Sequence, residues 1–166
     1  DGDIVSLDAG VIYKGYHSDA ARTYGVGEIS KEAKNLMQIT KECFFEGIKY
    51  AREGNHLFDI SGAIGRYAEE RGYGVVRDLC GHGIGTALHE APEIPNYEVG
   101  RKGVRLRPGM TLAIEPMINI GTHEVDWLDD DWTVVTRDGS LSAHYENTIL
   151  ITEGEPRILS LTCDNE

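Results

Sequence analysis

The stretch from Gly81 to Gly109 constrains this chain most. It holds Gly81, Gly83, Gly85, Pro92, Pro95, Gly100, Gly103, Pro108 and Gly109, so neither a long helix nor an unbroken strand can run through it. Irregular stretches of that length inside a compact domain are functional or disordered. The flanks are regular. Ile4 to Asp8 rising into Ile12-Tyr13-Lys14-Gly15, then His17 to Tyr24 returning, reads as a β-hairpin. Ser30 caps a predicted helix on which Ala33, Leu36, Met37, Thr40, Cys43, Phe44, Gly47, Ile48 and Ala51 recur at spacings of three and four. A second helix starts near Asn55 or His56, carries Ile60, Ala63, Ile64, Tyr67 and Ala68 on one face, and ends at Gly72. Beyond Pro108-Gly109, Thr111 to Glu115 reads as a strand, and the runs 132–136 and 143–151 flank the turn signal Asp138-Gly139 as a hairpin. Strands grouped apart from helices predict the α+β class.

The 166 residues are 40% apolar, enough for one core that buries roughly 70% of the unfolded chain's surface. The formal charge of −12 argues against nucleic acid and anionic membranes as partners, whose affinity comes from cationic side chains. No apolar run exceeds three residues, so the sequence contains no membrane-spanning helix. Cys43, Cys80 and Cys163 are an odd, widely spaced set that fits neither a disulfide framework nor a zinc knuckle, and a reducing cytoplasm is the expected compartment. Asp129-Asp130-Asp131 reads as a solvated loop tip. The chain opens without methionine directly into a strand pattern, so the expectation is a single domain over 1–166 cut on its N-terminal side from a longer sequence.

The residues that carry chemistry are acidic. A hairpin in which paired residue numbers sum to 27 sets Asp8 opposite Asp19, and two ionised carboxylates so placed repel unless a cation lies between them. A surface aspartate in a slipped register is the competing reading. His82 lies in Gly81-His82-Gly83-Ile84-Gly85, whose small neighbours let backbone approach and leave the imidazole uncovered. A dinucleotide-binding loop fails here, because Thr86 stands where a glycine is needed and Pro92 and Pro95 interrupt the helix that should follow. Glu115 and Glu146 each fall within an apolar or uncharged strand, where an unpaired carboxylate is costly to bury. Four carboxylates and one imidazole suit a pair of hard divalent ions such as Mn, Fe or Co better than a thiolate zinc site. Two dications balance four carboxylates, and a water between them can ionise near neutral pH.

Taken in order, Gly2-Asp3-Ile4-Val5, Tyr16-His17-Ser18-Asp19, Cys80 to Gly85, His89-Glu90-Ala91-Pro92, Pro108 to Thr111, Ile114 to Met117 and Ser140 to Glu146 resemble the type I methionine aminopeptidases, of the creatinase-like pita-bread fold. The resemblance runs from Asp3 to about Leu161. It implies an antiparallel curved sheet with helices packed on its outer face, and two divalent ions (Mn, Fe, Co or Zn) held by Asp8, Asp19, His82, Glu115 and Glu146. Asp19 and Glu146 bridge both ions in that scheme. Glu115 doubles as the general base, His89 hydrogen-bonds the scissile amide, and Trp132 and Leu88 line the substrate pocket. The implied function is removal of the N-terminal methionine from peptides and nascent proteins by metal-hydroxide attack, with the ribosome as a partner. A proline-specific aminopeptidase or dipeptidase of the same fold is the alternative, followed by a non-catalytic binding module. His144, Asn147 and Leu88 depart from the family, which more commonly has glutamine, histidine and an aromatic there. A family segment with two helices, a further histidine and part of the methionine pocket has no counterpart in this sequence.

Overall fold

The computed structural model describes residues 1–161. Cys163 lies outside them. Two strands open the chain, β1 (Ile4–Tyr13) and β2 (Tyr16–Gly25), joined by Lys14 and Gly15, both at positive φ (51° and 83°). A two-residue turn of this kind matches the twist of the strands it joins, and it sets the register. Paired residue numbers therefore sum to 29, with Asp8 opposite Ala21 and Gly10 opposite Asp19. The expected Asp8–Asp19 pairing is thus wrong by two positions. A slip of two keeps the face, so both carboxylates still point the same way, diagonally rather than directly opposed.

Helices α1 (Lys31–Ile48) and α2 (Leu57–Glu69) follow. The Ser30 hydroxyl accepts the Ala33 N–H at 3.0 Å and caps α1 as expected. His56 and Asp59 close α2 reciprocally, with the Asp59 carboxylate accepting the His56 N–H at 2.8 Å. The two helices pack on each other and, through Leu36, Phe44, Ile60 and Ile64, join a core completed by Leu112, Ile114, Ile118 and Ile149. Because α2 is covered by both α1 and the strands, it buries Phe58, Ser61, Gly62 and Gly65 besides the expected face.

The remaining strands are short. β3 (Gly74–Val75), β7 (Met117–Asn119) and β10 (Ser142–His144) form one sheet in the order β10-β7-β3. A five-stranded sheet runs β12-β11-β6-β4-β5. Its strands are β4 (Gly81–Gly83), β5 (Glu90–Ile94), β6 (Thr111–Ile114), β11 (Asn147–Leu150) and β12 (Arg157–Ile158). Residues 81–109 are otherwise irregular, as their glycines and prolines require. Every strand pairing among the described residues is antiparallel, including that of β8 (Val125–Trp127) with β9 (Val134–Thr136).

Two expectations need correction. Asp138-Gly139 does not join a hairpin, since β9 pairs back to β8 and β10 pairs with β7. The Asp138 carboxylate instead accepts the N–H groups of Thr122 (2.7 Å) and Ser140 (2.9 Å), and these contacts, with the Ser140 hydroxyl foremost, hold its pKa down at about 2. Glu115 and Glu146 are not inside strands either. Glu115 follows β6 where the chain leaves the five-stranded sheet for β7, and Glu146 sits between β10 and β11 where it returns. Both glutamates therefore occupy the same seam between two sheets.

Candidate metal centre

That seam gathers the predicted residues. Asp19 reaches it from β2, His82 from β4, Glu115 and Glu146 from the two crossings. One ligand atom each from Asp19, His82 and Glu146 lie within 4.8 Å of one another, and all three residues are buried. His82 Nε2 stands 3.4 Å from Glu115 Oε1 and 3.9 Å from Asp19 Oδ2. Its Nδ1 lies 2.9 Å from the Gly83 carbonyl, which can only accept a hydrogen bond, so Nδ1–H donates and Nε2 carries the free lone pair facing the carboxylates. Asp8, on the exposed strand β1, lines the same cleft.

The glycines beside His82 are required by packing. A Cβ at Gly81 would stand 2.4 Å from the Ala113 carbonyl oxygen, and one at Gly83 would stand 2.3 Å from that of Ala91. Neighbouring backbone on both sides thus excludes any side chain, and His82 is delivered to the seam between two strands that touch it closely.

Supports invisible to local sequence reading hold the other groups. The Thr148 hydroxyl accepts the Asp19 N–H at 2.8 Å and bonds the Asp19 carbonyl at 2.9 Å, although the two residues are 129 positions apart. Thr23 clamps the backbone N–H and C=O of His144 in the same manner, at 2.8 and 2.9 Å. The Arg22 guanidinium donates to the Glu146 carbonyl and to Asn147 Oδ1 (2.6 Å) while lying over the Tyr145 ring at 4.1 Å. Asn96 donates to the Glu115 carbonyl at 3.1 Å. His144, singled out in the sequence only as a departure, brings Nε2 to 3.6 Å from Glu115 Oε2.

The electrostatics call for a cation. Burial first, then Glu115, Asp19 and Asp8, push the Glu146 carboxyl up to about 10. Burial also raises Asp8, opposed by His144 and reinforced by Asp19 and Glu115. Glu146 Oε1 is buried with no hydrogen-bond partner among the described residues. An orphaned carboxylate oxygen amid like charges is what a divalent ion would satisfy, and the oxygen-rich donor set with one imidazole fits such an ion.

In front of the cluster opens a cleft of about 970 Å³. Leu79, Leu88, Met117 and Val134 give it apolar walls, and Trp127 and Trp132 stand at its edge, 54% and 85% exposed. Sequence reasoning named Trp132 and Leu88 but missed Trp127, which lies opposite Val134 in the β8–β9 pair. His89 is exposed, with its ring edge-on to His82 at 4.4 Å between centroids, so a second imidazole lines the same cleft. A polar, acidic floor beneath an apolar wall can hold an apolar side chain while the adjoining backbone meets the charged groups.

Comparison with known proteins agrees with this geometry. The pattern of metallopeptidase family M24 matches residues 1–153. A methionine aminopeptidase of Clostridium perfringens is 58% identical over 161 residues, covering 97% of this chain and 65% of that protein. The crystal structure of methionine aminopeptidase from Thermotoga maritima superimposes with a TM-score of 0.94 at 49% identity, over 98% of this chain and 65% of that one. The prolidase of Pyrococcus furiosus reaches a TM-score of 0.76 at 28% identity, over 97% and 42%. The chain thus has the pita-bread fold, and it spans about 65% of the length of the methionine aminopeptidases it matches.

Proposed function

This chain belongs to metallopeptidase family M24, and from that premise we propose that it removes the N-terminal methionine from peptides and nascent proteins. The observation that carries the proposal is the buried Asp19, His82 and Glu146 cluster, with its orphaned carboxylate oxygen, at the foot of a cleft with apolar walls. Asp8, Asp19, His82, Glu115 and Glu146 would hold two divalent ions, drawn from Mn, Fe, Co and Zn. When bound, such ions act as Lewis acids that polarise the scissile carbonyl and acidify water.

The protein's own groups do the rest. Glu115, half-buried at the seam, takes the proton of the attacking water and later returns it to the leaving amine. His89 donates a hydrogen bond to the scissile amide and to the oxyanion that develops there. Leu79, Leu88, Met117 and Trp132 receive the unbranched, polarisable methionine side chain, which suits an apolar wall of uneven shape. The same reading places the protein in the cytoplasm, acting on chains as they leave the ribosome.

The similarity to prolidase makes a proline-specific peptidase the second reading, and the lower identity ranks it below the first. Hydrolysis of Met-Ala-Ser and of Ala-Pro, measured with parallel metal analysis, separates them. Release of methionine with two bound ions per chain is expected. Cleavage of Ala-Pro alone would transfer the assignment to the prolidases, and absence of both metal and hydrolysis would leave a binding module.

A further inference from the structure

We propose that His144 is a metal ligand, a sixth side chain in the centre that supplies a nitrogen donor beside Asp8 and Glu115. The inference rests on the metallopeptidase reading above and concerns a residue outside its five ligands. His144 Nε2 is buried and has no hydrogen-bond partner among the described residues. Its nearest ionisable neighbour, Glu115 Oε2, is 3.6 Å away, too far for a hydrogen bond. Two donors that each sit about 2.1 Å from one ion at a tetrahedral angle are roughly 3.4 Å apart. The spacing between His82 Nε2 and Glu115 Oε1 is 3.4 Å, and that between His144 Nε2 and Glu115 Oε2 is 3.6 Å. Both separations are longer than a good hydrogen bond and match the spacing of donors that would share one ion.

The two oxygens of Glu115 thus face two different imidazoles, His82 from β4 and His144 from β10. His144 is also fixed in place. Thr23 bonds both its N–H and its C=O, so the ring projects from a backbone tied to β2, the strand that carries Asp19. Without His144 the centre would have His82 as its one imidazole, and a second imidazole raises affinity for transition metals over Mg and Ca. Glutamine, the commoner residue at this position in the family, matches the length and donor capacity of histidine but is a poor ligand. His144→Gln therefore removes coordination with little change in side-chain reach.

The test loads the whole chain with Co(II) and follows two readouts other than activity. Proton NMR should show hyperfine-shifted imidazole signals from two histidines in the wild type, identified by their loss on ring-deuterated histidine labelling. His82→Gln should remove one set and His144→Gln the other. Calorimetric titration with Co(II) should show one of two binding steps weakened tenfold or more in His144→Gln. If only the His82 signals are present and His144→Gln binds Co(II) within twofold of wild type, His144 is not a ligand and the proposal falls while the five-ligand centre stands. No shifted imidazole signal at all would overturn both. Should His144→Gln fail to fold, the wild-type count decides alone, two histidines for the proposal and one against it.

Discussion

At the residue scale, one substitution separates the two duties proposed for Glu115, ligand and general base. Its carboxylate lies 3.4 Å from His82 Nε2, while its backbone is pinned by Asn96, so Glu115→Gln keeps shape and place but loses the basic oxygen. Turnover on Met-Ala-Ser should fall by about 10²-fold or more, with at least one ion retained, because His82, Asp19 and Glu146 remain. The paired measurement is kcat across pH together with metal content. A variant with the wild-type pH–rate profile would remove Glu115 from the proton transfer, and one that has lost all metal would make it a ligand first.

At the scale of elements, the hairpin shows how local chemistry decides geometry. Lys14 adopts φ 51°, a region that most non-glycine side chains tolerate poorly and asparagine occupies more readily. Lys14→Asn should therefore stabilise the chain by about 0.5–1 kcal/mol, seen as a higher urea midpoint with unchanged slope. A lower midpoint would mean that Lys14 contributes a contact beyond the turn. The same turn explains what the sequence concealed. Reading Asp8 against Asp19 from charge alone placed the turn between Tyr13 and Lys14, while the positive-φ requirement puts it at Lys14-Gly15. Elements whose signals are local were legible: the Ser30 cap, the stripe of α1, and the glycines that crowd His82. What was not legible depends on distant partners. β9 finds β8 rather than the strand beyond Asp138-Gly139, and Asp19 is held by Thr148. The five proposed ligands could be named because each is an acidic or imidazole group out of place in its surroundings. Arg22, Thr23 and Thr148 look ordinary in sequence and become supports only when the fold brings them to the seam.

Over the whole molecule, surface and charge each carry an expectation. On β1 and β2 the face away from the metal cluster shows Val5, Leu7, Val11, Tyr13, Tyr16 and Tyr24, from 43% to 70% exposed. An uncovered apolar face on a ten-residue edge strand favours association. This chain should therefore show concentration-dependent mass in sedimentation, and Leu7→Lys should shift it toward monomer; a monodisperse monomer at high concentration would show that the face is tolerated in water.

Charge sets the response to chelation. Four carboxylates converge on the seam, and an ion bound only by the native state adds RT ln(1 + [L]/Kd) to its stability. Removing metal should lower the melting temperature, by an amount that depends on pH through Glu146. Its carboxyl titrates near 4.5 when exposed and is pushed up to about 10 in the metal-free fold, chiefly by burial and then by Glu115, Asp19 and Asp8. A raised carboxyl pKa favours the protonated native state, so this contribution is fully present below pH 4.5 and is lost as pH climbs toward 10. The metal-free chain should thus weaken steadily from pH 5.5 to pH 9, whereas Mn(II), by pairing with the ionised cluster, should offset that loss. The gap between melting temperatures with Mn(II) and with chelator should therefore widen as pH rises. A gap of constant size would place the bound ion away from Glu146, and no gap would remove the metal centre from this seam.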